Sequence, residues 1–449
     1  MRDRRPVSVE LLGTLDEKFV ANAVVFEHAT PCAGLLLAGE RFRTPSGSLD
    51  HDLVLRALAD GLRYAPELRR RLRPAPLGLT TPAWVPDDAL DVAAHVRFHP
   101  GVVAADGPDL PVLLAGRLNP PLDPRRPLWN TVVAELDDGR LAVAWRIQHA
   151  VGDGLYGLRL LDALTEADAA APALGTHRPP RSGVELLRFA GAAWWRRQAG
   201  PRAAWHEYWR KPFRRRLRRW AGRVVRPVRN RVIAARGLAA TLVPRRRYAF
   251  AVHDLAPVAR RARELGGSVH DLTVAAALVA LDQMLPDPAG PRLGVPLSHR
   301  AARGDRRNHV RMTVVGLPPG TPLAEAVPLV HAAVADAIKG TGPSQGIGPG
   351  QGVPGAARVA ARGYASFVPW RPRVRHLGPA AVRGAVLWPV LDPRDDIAVF
   401  GSSYADTFAL AVVGSTSLDV DAVLRVFAEQ VIGADRLADL TPDLTGGAP

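Results

Sequence analysis

Cysteine is nearly absent: Cys32 is the only one in 449 residues. No internal disulfide can form, and no metal cluster built on thiolates can be assembled. Lysine is almost as rare. Lys18, Lys211 and Lys339 are the only three among 59 basic residues, so arginine carries the positive charge. No run reaches the roughly 18 uninterrupted apolar residues of a membrane span. The basic N-terminus lacks an apolar stretch long enough for a signal peptide, so the expected location is cytoplasmic. A G-x-S-x-G nucleophile elbow is missing, which argues against a serine hydrolase and a covalent acyl-enzyme. The Gly-rich stretch Gly340 to Gly355 lacks the Lys-Ser/Thr ending of a phosphate-binding loop. His51, His95, His206, His253 and His309 show no metal-ligand spacing, so no metal is expected.

What is present is unevenly placed. Between Arg196 and Arg247 there are eighteen Arg and Lys residues against one acid, Glu207. That segment alone accounts for the net +16 of the chain and leaves the rest near neutral. Trp194, Trp195, Trp205, Trp209 and Trp220, half of the ten tryptophans, lie in it or at its entry. Trp205, Trp209, Phe213, Leu217, Trp220 and Val224 recur at helical spacing, with arginines beside or opposite them. Pro212 and Pro227 divide the stretch into short helices. Tryptophan on one face and arginine on the other suits an anionic membrane or lipid-droplet surface. A basic crossover linker packed on its neighbours is the alternative. No nucleic-acid-binding motif accompanies the charge, so no nucleic-acid partner is expected.

At 449 residues, 47% of them hydrophobic, the chain exceeds one ordinary core. The patterning predicts an α/β protein: a first domain over residues 1–185, a basic Trp-rich crossover over 186–247 and a second domain over 248–449. The second domain opens on a strand (Tyr248 to Leu255) and an Ala-rich helix from Asp271 to Leu285, with Ser268 or Asp271 as its cap. Ile397 to Phe400 and Phe408 to Val413 read as paired strands, and Val420 to Val431 as a closing helix. Gly340 to Gly355 reads as a surface loop. Adjacent residues on a helix do not share a face, so His270 and Asp271 are not expected to pair.

The heptapeptide Gln148-His149-Ala150-Val151-Gly152-Asp153-Gly154 carries the chemistry. Leu141 to Ile147 before it is apolar like a buried strand, and Leu155, Leu158, Leu161 and Leu164 after it recur at helical spacing. The loop between strand and helix therefore holds an imidazole that titrates near neutrality and can take a proton from an attacking hydroxyl or amine. Asp153 is assigned structural support, Gly154 a tight turn. Taken alone, this His–Asp spacing also fits a purely structural histidine.

The heptapeptide resembles the H-H-x-x-x-D-G signature of the bacterial wax ester synthase/acyl-CoA:diacylglycerol acyltransferase family. Other elements follow in order: Leu15-Asp16 with Phe19 (L-D-x-x-F), Arg69-Arg70-Arg71-Leu72 with Pro82-Ala83-Trp84-Val85, and Leu122-Asp123 with Arg126-Pro127-Leu128-Trp129. Then come Val269-His270-Asp271 at the place of V-N-D, Val295-Pro296-Leu297-Ser298-His299-Arg300 (V-P-V-S-x-R), and Asn308 with Leu317-Pro318. Gln148 replaces the first signature histidine, and His270 replaces an asparagine. His376-Leu377-Gly378-Pro379 is taken as the nearest match to N-V-P-G-P. The resemblance implies two chloramphenicol-acetyltransferase-like domains with mixed sheets and an active-site channel between them. It implies acyl-CoA as co-substrate with no bound cofactor, a diacylglycerol or long-chain alcohol hydroxyl as acceptor, and His149 as the general base. Gln148 and His270 leave open a different acceptor, such as a specialised metabolite, or a catalytically silent lipid-binding paralogue. Peripheral association with membrane or lipid droplets is the expected setting.

Overall fold

The computed structural model describes residues 10–13, 16, 19–20, 30–74, 81–165, 182–198, 212–214, 245–298, 310–339, 344–345, 361–370, 372–391 and 395–433. In chain order the first elements are β1 (Glu10–Leu11), β2 (Cys32–Leu37), α1 (His51–Gly61), β3 (Arg70–Arg73), β4 (Ala83–Pro86), β5 (Val96–Val103), α2 (Asp109–Leu114), β6 (Trp129–Leu136), β7 (Leu141–Ile147), α3 (Gly154–Thr165) and α4 (Gly183–Gln198). Then come β8 (Arg246–Asp254), α5 (Leu255–Glu264), α6 (Val269–Met284), β9 (Arg292–Ser298), β10 (Val310–Gly316), α7 (Leu323–Lys339) and β11 (Ser344–Gln345). The last are β12 (Gly363–Pro369), β13 (His376–Leu377), β14 (Ala380–Trp388), β15 (Ile397–Tyr404), β16 (Thr407–Ser415) and α8 (Val420–Ile432).

Two mixed sheets organise these elements, as an α/β fold requires. The first has six strands in the order β13-β14-β2-β7-β6-β5; the second has seven, β11-β10-β9-β12-β15-β16-β8. β5 runs parallel to β6, and β12 runs parallel to both β9 and β15. A small third sheet pairs β1, β4 and β3. β13 and β14 come from residues 376–388 yet join the first sheet, where Trp388 pairs with Cys32. The chain therefore passes from the second sheet back to the first between β12 and β13.

Residue choice explains the strands and helices. β7 lies between β2 and β6, and Leu141 to Trp145 are all buried, so it carries apolar side chains on both faces, while buried Arg146 bonds Asn130. β15 and β16 pair antiparallel from Ile397↔Gly414 to Tyr404↔Thr407. Asp50 and Asp419 cap α1 and α8 by accepting the N–H groups of Leu53 and Ala422. Ser268 caps α6, and Asp271 completes the reciprocal box by accepting the Ser268 N–H at 2.9 Å.

One face of the first sheet packs on α1 and α3 together with Val368, Trp370 and Tyr404 of the second half. Its other face packs on α2 together with Ala398, Ala409, Ala411 and Val413. A separate cluster joins α5 to α8 with the second sheet. The two sheets thus share buried surface along the passage between them. Among the described residues no single helix is long and apolar enough to cross a membrane. Most of the basic Trp-rich segment lies outside the described residues; Phe213 is the one member of its stripe inside them, and it is exposed. Of Gly340 to Gly355, only β11 is described, at the edge of the second sheet.

Candidate functional site

The loop Gln148–Gly154 leaves the central strand of the first sheet and turns into α3. Backbone bonds fix its start. The Gln148 N–H donates to the Leu128 carbonyl at 2.9 Å, and the Val151 N–H donates to the Gln148 carbonyl at 2.9 Å. Leu128 and Trp129 belong to the L-D-x-x-R-P-L-W element, so that element is a direct support of the loop. Trp129 is 1% exposed, donates its indole N–H to the Leu68 carbonyl at 2.7 Å, and stacks on His95.

Gln148 is buried, and its Oε1 accepts the Ala150 N–H. The side chain thereby closes the turn two residues on. Its Nε2 has no hydrogen-bond partner among the described residues. A glutamine cannot titrate, but it supplies the backbone acceptor that this turn uses. His149 follows, half-buried, with its ring stacked on Phe19 at 4.3 Å and 19°. Phe19 closes the L-D-x-x-F element, which lies 130 residues upstream in sequence. The fold therefore places two distant motif residues ring on ring.

Asp153 is buried, and its Oδ1 accepts the Tyr156 N–H at 2.9 Å, while its carbonyl accepts the Gly157 N–H at 2.7 Å. It is the cap of α3. Tyr156, which sequence reasoning passed over, ties this turn to the segment between α1 and β3 by donating its hydroxyl to Glu67 at 3.0 Å. The two glycines differ. A Cβ on Gly152 would fall 2.7 Å from Tyr156 Cγ, whereas a Cβ on Gly154 would meet nothing within 4 Å. The tight approach therefore belongs to Gly152, and exposed Gly154 leaves open space beside the loop.

A second set of ionisable groups gathers at the start of α6. His270 Nδ1 lies 3.5 Å from Asp271 Oδ1, and His331 Nδ1 from α7 lies 2.9 Å from Asp271 Oδ2. Adjacency on a helix had argued against a His270–Asp271 pair. Asp271 reaches back toward the helix start to serve Ser268, and this swings its carboxylate within reach of His270. His331 is sixty residues away in sequence, so no spacing signalled it. Burial pushes the Asp271 carboxyl up, but bonds from His270, Ser268 and His331 together hold it well below the usual carboxylate range.

The remaining candidates fall elsewhere. Arg69-Arg70-Arg71-Leu72 and Pro82-Ala83-Trp84-Val85 meet in the third sheet, where Leu72 pairs with Trp84. Val295 to Ser298 lie on β9; His299, Arg300 and Asn308 lie outside the described residues. His376 to Pro379 form β13 and the turn after it; His376, Gly378 and Pro379 line a cavity of about 450 Å³ with Asp60, Arg63 and Tyr64. Val368-Pro369 close β12 and lead to Trp370. A cavity of about 170 Å³ lies beside His95, Asp123, Arg126 and Asn130. Neither cavity is lined by the loop itself. Burial pushes the Cys32 thiol up to about 12, which removes it as a nucleophile. Among the described residues no three His, Cys, Asp or Glu side chains are grouped to hold a metal.

In chemical terms, the loop holds one half-buried imidazole against an apolar ring, four residues before a helix cap. Such a group can accept a proton from a hydroxyl while the scaffold holds it still.

Comparison with known proteins gives the same frame. The family model for the wax ester synthase/diacylglycerol acyltransferase catalytic domain matches residues 27–273. A putative diacylglycerol O-acyltransferase of Mycobacterium tuberculosis is 40% identical over 117 residues, and the match spans 24% of each chain. The chain thus covers about a quarter of that relative's length. Among solved structures, the wax ester synthase/diacylglycerol acyltransferase of Marinobacter aquaeolei VT8 superposes with a TM-score of 0.56 at 17% identity, over 96% of this chain and 100% of that one. The first condensation domain of the CDA synthetase gives 0.56 at 15% identity, over 95% of this chain and 96% of that one. These two likenesses are of fold. With its catalytic-domain model matched over more than half its length, the chain belongs to the wax ester synthase/diacylglycerol acyltransferase family.

Proposed function

We propose that this protein moves a fatty acyl group from acyl-CoA to the hydroxyl of a diacylglycerol or long-chain alcohol, with His149 as the general base. The observation that carries the reading is the placement of His149. It is fixed between a buried strand and a capped helix, stacked on Phe19, within the signature loop of its family. In the reaction, His149 takes the proton as the acceptor oxygen attacks the thioester carbonyl. The tetrahedral intermediate collapses with cleavage of the C–S bond, and the imidazolium returns the proton to the leaving thiolate. The products are an ester and free coenzyme A. Phe19 covers one face of the ring. Asp153 holds the helix start, and Gln148 shapes the turn.

The test is release of free coenzyme A from palmitoyl-CoA, followed with a thiol reagent in the presence of diacylglycerol or hexadecanol. His149→Ala is expected to lower turnover by about 10²- to 10⁴-fold, near 3–5 kcal/mol of barrier, with an unchanged melting temperature. A variant as fast as wild type removes the base assignment. His270, where the family carries asparagine, favours a second reading in which the acceptor is a specialised metabolite. Mass spectrometry of products from a mixed acceptor pool separates the two, since only the first reading yields wax ester or triacylglycerol as the main product.

A further inference from the structure

The passage from β12 back to β13 carries a deeply buried charge. Arg375 is 1% exposed, and its Nη2 lies 2.7 Å from Oδ1 of Asp162 on α3. The Trp370 indole N–H donates to the same oxygen, and the guanidinium sits 5.7 Å from the centre of the Trp370 ring. The backbone is held as well. The Arg375 N–H donates to the Tyr404 hydroxyl at 2.8 Å, and that hydroxyl donates to the Val382 carbonyl at 3.1 Å. Four pieces of the fold therefore meet on one ion pair: α3 of the first half, the passage itself, β14 and β15.

α3 is the helix that grows out of the His149 loop, with Asp153 as its cap and Asp162 nine residues further along. Burying a guanidinium this deeply is a costly way to fill space, because Arg375 loses its hydration while Asp162, 20% exposed, keeps part of its own. What it supplies is a fixed geometry, since a guanidinium and an indole converge on one carboxylate oxygen from set directions. Trp370 and Tyr404 belong to the second half, so the height and rotation of α3 are set against that half. We infer that the Asp162–Arg375 pair, clamped by Trp370, positions His149 for proton transfer. The inference rests on His149 being the base. A base displaced by about 1 Å loses about 10²-fold in rate while substrate affinity is spared.

The experiment crosses Arg375→Met with His149→Ala in the full chain, reading coenzyme A release from palmitoyl-CoA with hexadecanol. In the wild-type background, Arg375→Met is expected to lower kcat by about ten- to a hundredfold, with the KM for palmitoyl-CoA changed less than about twofold. In the His149→Ala background the same change is expected to lower the residual rate by less than about twofold, because a positioning residue has nothing left to position. Equal losses in the two backgrounds, or an unchanged kcat, overturn the inference. If His149→Ala alone keeps the wild-type rate, the base assignment itself falls, and that outcome is visible before the cross is read. Should Arg375→Met fold poorly, Asp162→Asn/Arg375→Met removes both charges and keeps an acceptor for Trp370. Regained melting temperature without regained kcat supports positioning; recovery of both overturns it.

Discussion

At two places this chain sets histidine beside aspartate, and the two sets follow opposite plans. On the β7–α3 loop, His149 and Asp153 are four residues apart, Asp153 serves the helix backbone, and the imidazole is stacked on an aromatic ring. At the start of α6, Asp271 serves two imidazoles, one adjacent in sequence and one from α7, as well as Ser268. The first set shows ring stacking and backbone bonds; the second is held by charge. A carboxylate with three side-chain partners ties two helices together. On the loop, backbone bonds fix the turn and the imidazole packs on the ring of Phe19. The short spacing in sequence marked the loop, not the tighter ion pair of α6.

The largest test of that contrast is functional. His149→Ala should cost about two to four orders of magnitude in turnover, whereas His331→Ala should change kcat by less than about threefold. The His331 side chain is 60% exposed, so its loss should lower stability by about 1 kcal/mol or less. Parallel coenzyme A release and urea denaturation on both variants read the two quantities. A kcat loss at His331 as large as that at His149 would erase the distinction and place the α6 cluster in the chemistry.

Much of this arrangement was legible beforehand. β7 runs from Leu141 to Ile147, α3 carries the leucine stripe, and β15, β16 and α8 fall where alternation and helical spacing put them, because each buries a continuous apolar face. Caps were legible to within a choice, and the reciprocal Ser268–Asp271 box resolved it. Contacts between distant segments were not legible. Nothing local in Phe19, His331, Asp162 or Arg375 names a partner, since each pairs across 60 residues or more. The return of residues 376–388 to the first sheet was hidden for the same reason: β14 reads as an ordinary buried strand, and either sheet could have taken it. The crowding of Gly152 by Tyr156 was not legible, because spacing shows that a turn exists, not which side chain crowds it.

A smaller effect follows from those glycines and tests whether packing holds the catalytic loop. Gly152→Ala drives a methyl into the Tyr156 ring, and overpacking of this kind should cost about 1–3 kcal/mol. Gly154→Ala meets no atom within 4 Å and lies at the first position of α3, so it should be neutral or stabilising by up to about 1 kcal/mol. Urea midpoints rank the two. Because each substitution adds only a methyl group, the gap between the variants should be the same at pH 5 and pH 8. A gap that widens with pH would mean that the loop, like the α6 cluster, is held electrostatically.

The smallest expected effect lies at acid pH and belongs to the other set. Asp271 is held below its ordinary value by bonds that outweigh its burial. Between its lowered folded pKa and the unfolded value near about 3.9, the unfolded chain binds the extra proton, so stability rises with pH across that window. The contribution of Asp271 is complete above about pH 4 and is lost as pH falls toward its folded pKa. Asp271→Asn removes this titration. Its unfolding free energy should therefore fall less steeply than that of wild type as pH drops below 4, while Asp123, held low by its bond to Arg125, titrates in both proteins and cancels. Urea unfolding at half-unit steps between pH 5 and pH 2.5 measures the two slopes. Parallel slopes would show that the three partners of Asp271 bind its protonated and ionised forms alike, and the charge-held plan assigned to α6 would have to be given up.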